Sequence, residues 1–208
     1  GRYAFGNQPA IGQWNLARFA ECLIDLVDAN RPRAIERLTE VLNDYLGLNE
    51  THWLAGMRRK LGVAGAAEGD DRLALGLLSL MEEAGADFTL TFRSLSSAMR
   101  GADNDLQQAL GSGPAVEDWL SRWRARLAMG ERPPEQIAAD LDRVNPLFIP
   151  RNHKVEEALA AATDRGDLTL FEELLSFISA PYKDRPDPSG YGKPPPPGTP
   201  PCRTFCGT

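Results

Sequence analysis

The sequence predicts an all-α fold, about eight to ten helices followed by an extended, proline-rich tail. Apolar residues recur at three- and four-residue spacing through nearly every segment between residues 10 and 180. Glycines and prolines fall at the ends of those segments, where helices stop and start. More than half of the 16 prolines lie at or beyond Pro181, where the helical spacing ceases.

The chain opens on Tyr3, Phe5 and an Asn7-Gln8-Pro9 turn, closely spaced and mixed with glycines. This reads as a structured segment docked on something, and hence as a chain that starts within a larger protein; Tyr3 and Phe5 are expected to be poorly covered. Pro9 suits the first turn of a helix, which carries Leu16, Phe19, Ala20, Leu23 and Val27 on one face and stops before Asn30. A second helix is expected from Pro32 to Gly47, with Gly47 as a left-handed cap. A third follows from the N-cap Asn49, with Trp53, Met57 and Leu61 inward.

After a loop from Gly62 to Gly69, Asp70 is expected to cap a helix bearing Leu73, Leu77, Leu80 and Met81 and ending at Gly85. Residues 87–95 fit strand alternation (Phe88, Leu90, Phe92) and a helical face (Phe88, Phe92, Leu95); with helices on both sides and no partner strand, helix is preferred. Gly101 to Gly113 reads as a loop with one short turn at Leu106 to Leu110. Pro114 opens an amphipathic helix with Val116, Trp119, Leu120, Trp123 and Leu127. Pro134 opens the next, through Ile137, Leu141 and Val144, and Asn145-Pro146 ends it. Two more follow, one on Val155, Leu159 and Ala162 up to Gly166, the other on Leu168, Phe171, Leu174, Leu175 and Ile178 up to Pro181. Beyond it the backbone is extended or polyproline II. An aromatic flanked by cysteines at its end suggests that this tail wraps back across the domain.

Composition narrows the function classes. A net charge of −6 disfavours nucleic-acid binding, which needs a basic face. No apolar run approaches the roughly 20 residues that span a bilayer. Three cysteines in 208 residues are no disulfide scaffold, so a reducing, cytoplasmic setting is the expectation. The two histidines, His52 and His153, lack metal-ligand spacing. No serine-nucleophile elbow, phosphate-cradling glycine loop or converging carboxylate pair is present. Glu82-Glu83, Glu156-Glu157 and Glu172-Glu173 are adjacent and splay around their helices.

Two features remain. The stretch from Asn145 to His153 is a stiff interhelical link whose Arg151 is expected to pair with a carboxylate or carbonyl, and whose Asn152 is expected to cap a helix. The tail carries Cys202 and Cys206, either unused thiols or one half of a redox-sensitive link. Cys22 reads as a small core residue.

Several stretches in order resemble one family. Gly1 to Pro9 with Trp14-Asn15-Leu16-Ala17-Arg18 looks like the segment after the metal-binding Asp-Phe/Tyr-Gly motif of the selenoprotein O (SelO) family. Asp87-Phe88-Thr89 with Phe92-Arg93-Ser94-Leu95, Asn145-Pro146 through Glu156, Gly166-Asp167, Leu174-Leu175, Pro181-Tyr182 and the ending Thr204-Phe205-Cys206-Gly207-Thr208 resemble its later blocks. The resemblance implies a protein-kinase-like fold, formally a pseudokinase. It also implies AMP transfer from ATP to Ser, Thr or Tyr hydroxyls of protein substrates (AMPylation), with Mg2+ or Mn2+.

By that resemblance residues 1–9 end an activation-type segment, 10–180 form the helical C-lobe and 181–208 the C-terminal tail. The family's catalytic, nucleotide-binding and metal-binding residues lie upstream of every matched block, so no residue here is assigned those roles. Cys206, third from the end, occupies the place of the selenocysteine of many eukaryotic relatives. The resemblance makes it, with Cys202 as second choice, one half of a disulfide to the activation segment. The expected protein is a monomer without nucleic-acid or membrane partners. The alternative is a non-catalytic helical interaction module derived from the family.

Overall fold

The computed structural model describes residues 4–200; Tyr3, the side chain of Phe5, Cys202 and Cys206 lie outside the described residues. All its regular structure there is helical, in agreement with the all-α expectation. A 3₁₀ turn, Phe5–Asn7, leads into α1 (Gln8–Val27), α2 (Arg31–Lys60), α3 (Asp70–Ala84), α4 (Phe88–Met99) and α5 (Asn104–Leu110). Then follow α6 (Pro114–Ala128), α7 (Pro134–Val144), α8 (Asn152–Arg165) and α9 (Thr169–Ile178). The chain forms two compact units, Gly1–Met57 and Arg58–Thr208.

The first unit is an antiparallel hairpin of α1 and most of α2. Asp28 shapes its turn by accepting from Asn30 N (2.9 Å) and from Arg33 Nε (2.6 Å), while Asn30 Oδ1 accepts Arg33 N at 3.2 Å. Gln13 Nε2 donates to Leu42 O at 3.1 Å. The Tyr45 hydroxyl lies so close to where a Cβ on Gly12 would stand that a side chain there would have to displace the end of the Tyr45 ring.

Several expectations change in this unit. Gly47 does not end a helix and Asn49 does not start one; a single helix runs from Arg31 to Lys60. A glycine permits a left-handed stop without requiring it, and its helical penalty of about 1 kcal/mol is small against a continuous hydrogen-bonded ladder. The buried residues of α1 are Ala20 and Ile24. Phe19 is 60% exposed and Leu26 82%. Cys22 is exposed too, not in the core, with its Sγ 3.5 Å from Arg18 O. Trp14 is half exposed.

The second unit carries the larger core. In α6, Val116, Trp119, Leu120, Trp123 and Leu127 are all buried, the five positions expected from spacing. The two indoles stack, centroids 5.6 Å apart, and each N–H finds a carbonyl: Trp119 Nε1 to Leu73 O at 2.9 Å, Trp123 Nε1 to Leu61 O at 2.8 Å. Pairing these donors removes the cost of burying them. Gly62, at φ +71°, lies against Ile137 and Leu141, leaving no room for a Cβ. Helix α4 packs on α5 and α7, α3 on α5 and α6, and α8 on α9.

Asp70 is the first residue of α3, and Gly69 (φ +87°) holds the cap position expected for it. Its carboxylate is instead buried, accepting Arg58 Nε at 2.5 Å, Arg126 Nε at 2.6 Å and Ala67 N at 2.9 Å. At α8 the buried face is Ala158 and Ala161, with Leu159 half exposed.

Candidate functional site: the Asn145–His153 link and the docked tail

The ambiguous stretch at 87–95 is helical, because Asp87 caps α4: its Oδ1 accepts Leu90 N at 2.9 Å. The same carboxylate receives both terminal nitrogens of Arg151, Nη1 on Oδ2 and Nη2 on Oδ1. Burial alone would raise the Asp87 carboxyl, but the Arg151 guanidinium and the Leu90 N–H hold it below the usual carboxylate range. Arg151, itself buried, also donates from Nη2 to Gly192 O at 3.0 Å. It therefore pairs with a carboxylate and with a carbonyl, joining α4, the link and the tail. Arg151 holds the N-cap position of α8 expected for Asn152, and its carbonyl accepts Lys154 N and Val155 N, both at 2.9 Å.

At the other end of the link, Asn145 is fully buried. Its Nδ2 donates to Lys60 O at 2.9 Å, and its Oδ1 accepts Lys60 Nζ at 3.3 Å. Lys60 Nζ also stands 4.9 Å from the ring centroid of Phe92, and burial lowers its pKa. Arg93 Nη1 donates to the carbonyls of Asp142 (2.9 Å) and Asn145 (3.1 Å).

The described part of the tail, from Pro181, folds back on the domain; the cysteine-flanked end on which that expectation rested lies outside the described residues. Pro181 O accepts Leu147 N (2.8 Å) and Phe148 N (3.1 Å). The Arg185 guanidinium lies 3.7 Å from the centroid of Phe177, within cation–π range. Asp187 accepts Tyr191 N at 2.8 Å and Gly192 N at 2.9 Å. Tyr191 is buried with Phe148, Ala158, Leu174 and Phe177, its ring centroid 4.8 Å from that of Phe177. The Tyr191 hydroxyl donates to Glu173 Oε2 at 3.0 Å. Burial first, then the Glu173 carboxylate, push this phenol up to about 12. Sequence reasoning missed Tyr191; its one signal was a lone aromatic between glycines in a proline-rich stretch.

An open groove of about 720 Å³ runs beside the link, lined among others by Asp87, Arg93, Ser97, Arg100 and Asp142. Its guanidiniums are committed: Arg93 and Arg100 both reach Asp142, and Arg100 also Glu135. His153 lines a second groove, with Glu156, Pro195 and Thr199, whereas His52 is exposed on α2. A nucleotide and its divalent cation need converging acidic ligands and positive clamps for the phosphates. Among the described residues no three His, Cys, Asp or Glu side chains are grouped to hold a metal ion, and the arginines around the link brace carboxylates. The described residues do not fit such a group. They form an all-helical domain on which the described part of the tail is docked.

The profile of the family described as "Protein adenylyltransferase SelO" matches residues 1–179. The chain belongs to the SelO family. It is 48% identical over 210 residues to "Protein nucleotidyltransferase YdiU" of Rhizobium etli (strain CIAT 652), which covers all of this chain and 42% of that protein. The protein of the same name from Geobacillus kaustophilus (strain HTA426) is 46% identical over 208 residues, with the same shares covered. For that of Bradyrhizobium sp. (strain ORS 278) the identity is 43% over 210 residues, 43% of its length. The chain thus spans well under half the length of these relatives.

Proposed function

We propose that this chain is the helical C-terminal part of a protein adenylyltransferase that transfers AMP from ATP, with Mg2+ or Mn2+, to Ser, Thr or Tyr hydroxyls of other proteins. The family match over residues 1–179 carries this reading. In it the nucleotide, the metal and the catalytic groups belong to the part of the polypeptide upstream of this chain. The described residues supply the kinase-like lobe's helical frame. Residues 1–9 end the activation-type segment, 10–180 are the lobe and 181–208 the tail. The reading includes a cytoplasmic monomer that acts on protein substrates; no helix among the described residues is long and apolar enough to cross a membrane. Cys206, with Cys202 as second choice, is the tail's half of a regulatory disulfide to the activation segment.

The rival reading is a non-catalytic interaction module. It draws on the apolar side chains that the first unit leaves in solvent, among them Phe19, Leu26, Val41 and Leu48. Assaying the polypeptide of the whole reading frame with labelled ATP and a protein mixture separates the two, since a module transfers nothing. Mass mapping under oxidising and reducing conditions tests the disulfide. Absence of a bridge from the tail, with unchanged activity in Cys206→Ser, overturns it.

A further inference from the structure

The tail carries its own anchor. Six contacts hold residues 184–192: Arg185 on Phe177, Ser189 and Tyr191 on Glu173 and Gly192 O under Arg151 tie them to the domain, and Asp187 braces the segment internally through the N–H groups of Tyr191 and Gly192. At the centre stands Tyr191, buried to 3% exposure in a chain segment whose neighbours are mostly solvent-facing. Gly192 is pressed against the link so closely that a Cβ would stand 3.3 Å from Phe148 Cε1 and 3.4 Å from Leu147 O. Seven residues on either side of Tyr191, from Asp184 to Gly198, contribute no helix, so these side-chain contacts are what hold the segment.

We propose that residues 184–192 form a clasp with Tyr191 as its positioning residue, and that the clasp sets how far the tail cysteines reach. Measured from Gly192, Cys206 is fourteen residues away; measured from Pro181, the preceding anchor, it is twenty-five. A fully extended chain then reaches at most about 50 Å with the clasp closed and about 90 Å with it open. The effective concentration of a tethered group falls roughly as the −3/2 power of tether length, so opening lowers it about two-fold for a partner within both spans. The clasp adds no helix and contacts α8, α9 and the Asn145–His153 link, not the buried tryptophans of α6, so its opening is a local event that leaves that larger core in place. The consequence for the cysteines rests on the redox reading above; the clasp itself does not.

Trypsin provides the direct test, because of the three basic residues between Pro181 and Pro194 (Lys183, Arg185 and Lys193) only Lys183, at the clasp's border, is not followed by proline. Cleavage after Lys183 reports the open population when opening is fast. In Tyr191→Ala it is expected to rise at least ten-fold. In Tyr191→Phe, which keeps the ring and loses one hydrogen bond, it is expected to stay within about five-fold of the parent. Unchanged cleavage in Tyr191→Ala, with the near-UV spectrum of Trp119 and Trp123 intact, overturns the clasp. If that variant loses its tertiary spectrum, Asp187→Ala carries the same expectation and the same overturning result. In the whole protein, Tyr191→Ala is expected to lower the effective concentration for closing the Cys206 bridge, measured in a glutathione buffer, about two-fold. A parent protein with no bridge overturns the redox reading alone, and the clasp is then decided by cleavage.

Discussion

Asp70 sits between Arg58 and Arg126 with 2% of its side chain in solvent. Burial opposes its charge, yet the hydrogen bonds from Arg126, the Ala67 N–H and Arg58 bring its pKa down to about 2. A carboxylate depressed on folding adds stability above its unfolded pKa, near 3.8, and loses that contribution as pH falls towards about 2. Melting temperature is therefore expected to drop between pH 4 and 2 in the parent chain, and by less in Asp70→Asn. At pH 7, Asp70→Asn leaves two guanidiniums short of their counter-charge, and urea denaturation is expected to show a loss of about 3–5 kcal/mol. From the sequence Asp70 looked like an N-cap, because an acid after glycine at a helix start fits that role. Its two arginines, twelve residues back and 56 ahead in the chain, could only be found in three dimensions.

At the scale of elements, spacing and breakers located the helices well where one face is strongly apolar. Helix α6 buries the five residues its periodicity named, and α7 ends at Val144 before Asn145-Pro146. The reading failed where the signal was permissive. Gly47 and Asn49 carry the chemistry of a stop and a start, but nothing in them forces either. In α1 the expected face included the buried Ala20 but missed Ile24, and in α8 the small residues Ala158 and Ala161, which the spacing had not named, took the buried places. The Gly47 assignment has a sharp test. Gly47 is exposed, and a Cβ there meets nothing within 4 Å. Gly47→Ala is therefore expected to stabilise the chain by about 0.5–1 kcal/mol in chemical denaturation. A left-handed Gly47 would reverse the sign.

For the molecule as a whole, the sequence motifs led to the family and the family profile agrees over residues 1–179. The link and tail they pointed to are a brace: Asp87, Arg151 and Gly192 join α4, α8 and the tail through one guanidinium. Arg151 was legible because two prolines and an Arg-Asn-His trio are conspicuous between helices. Tyr191 was not, since its importance comes from a socket assembled by α8, α9 and the link. On the proposed reading, in which the catalytic groups lie upstream, the isolated 208-residue polypeptide is expected to transfer no AMP.

AMP transfer is decided by incubating the polypeptide of the whole reading frame with a protein mixture and ATP labelled on either the α- or the γ-phosphate. The α-label is expected to become covalently attached to hydroxyl side chains as AMP, and the γ-label is not. Transfer of the γ-label, or no transfer of either from a folded protein supplied with Mg2+ and Mn2+, would contradict the proposed function.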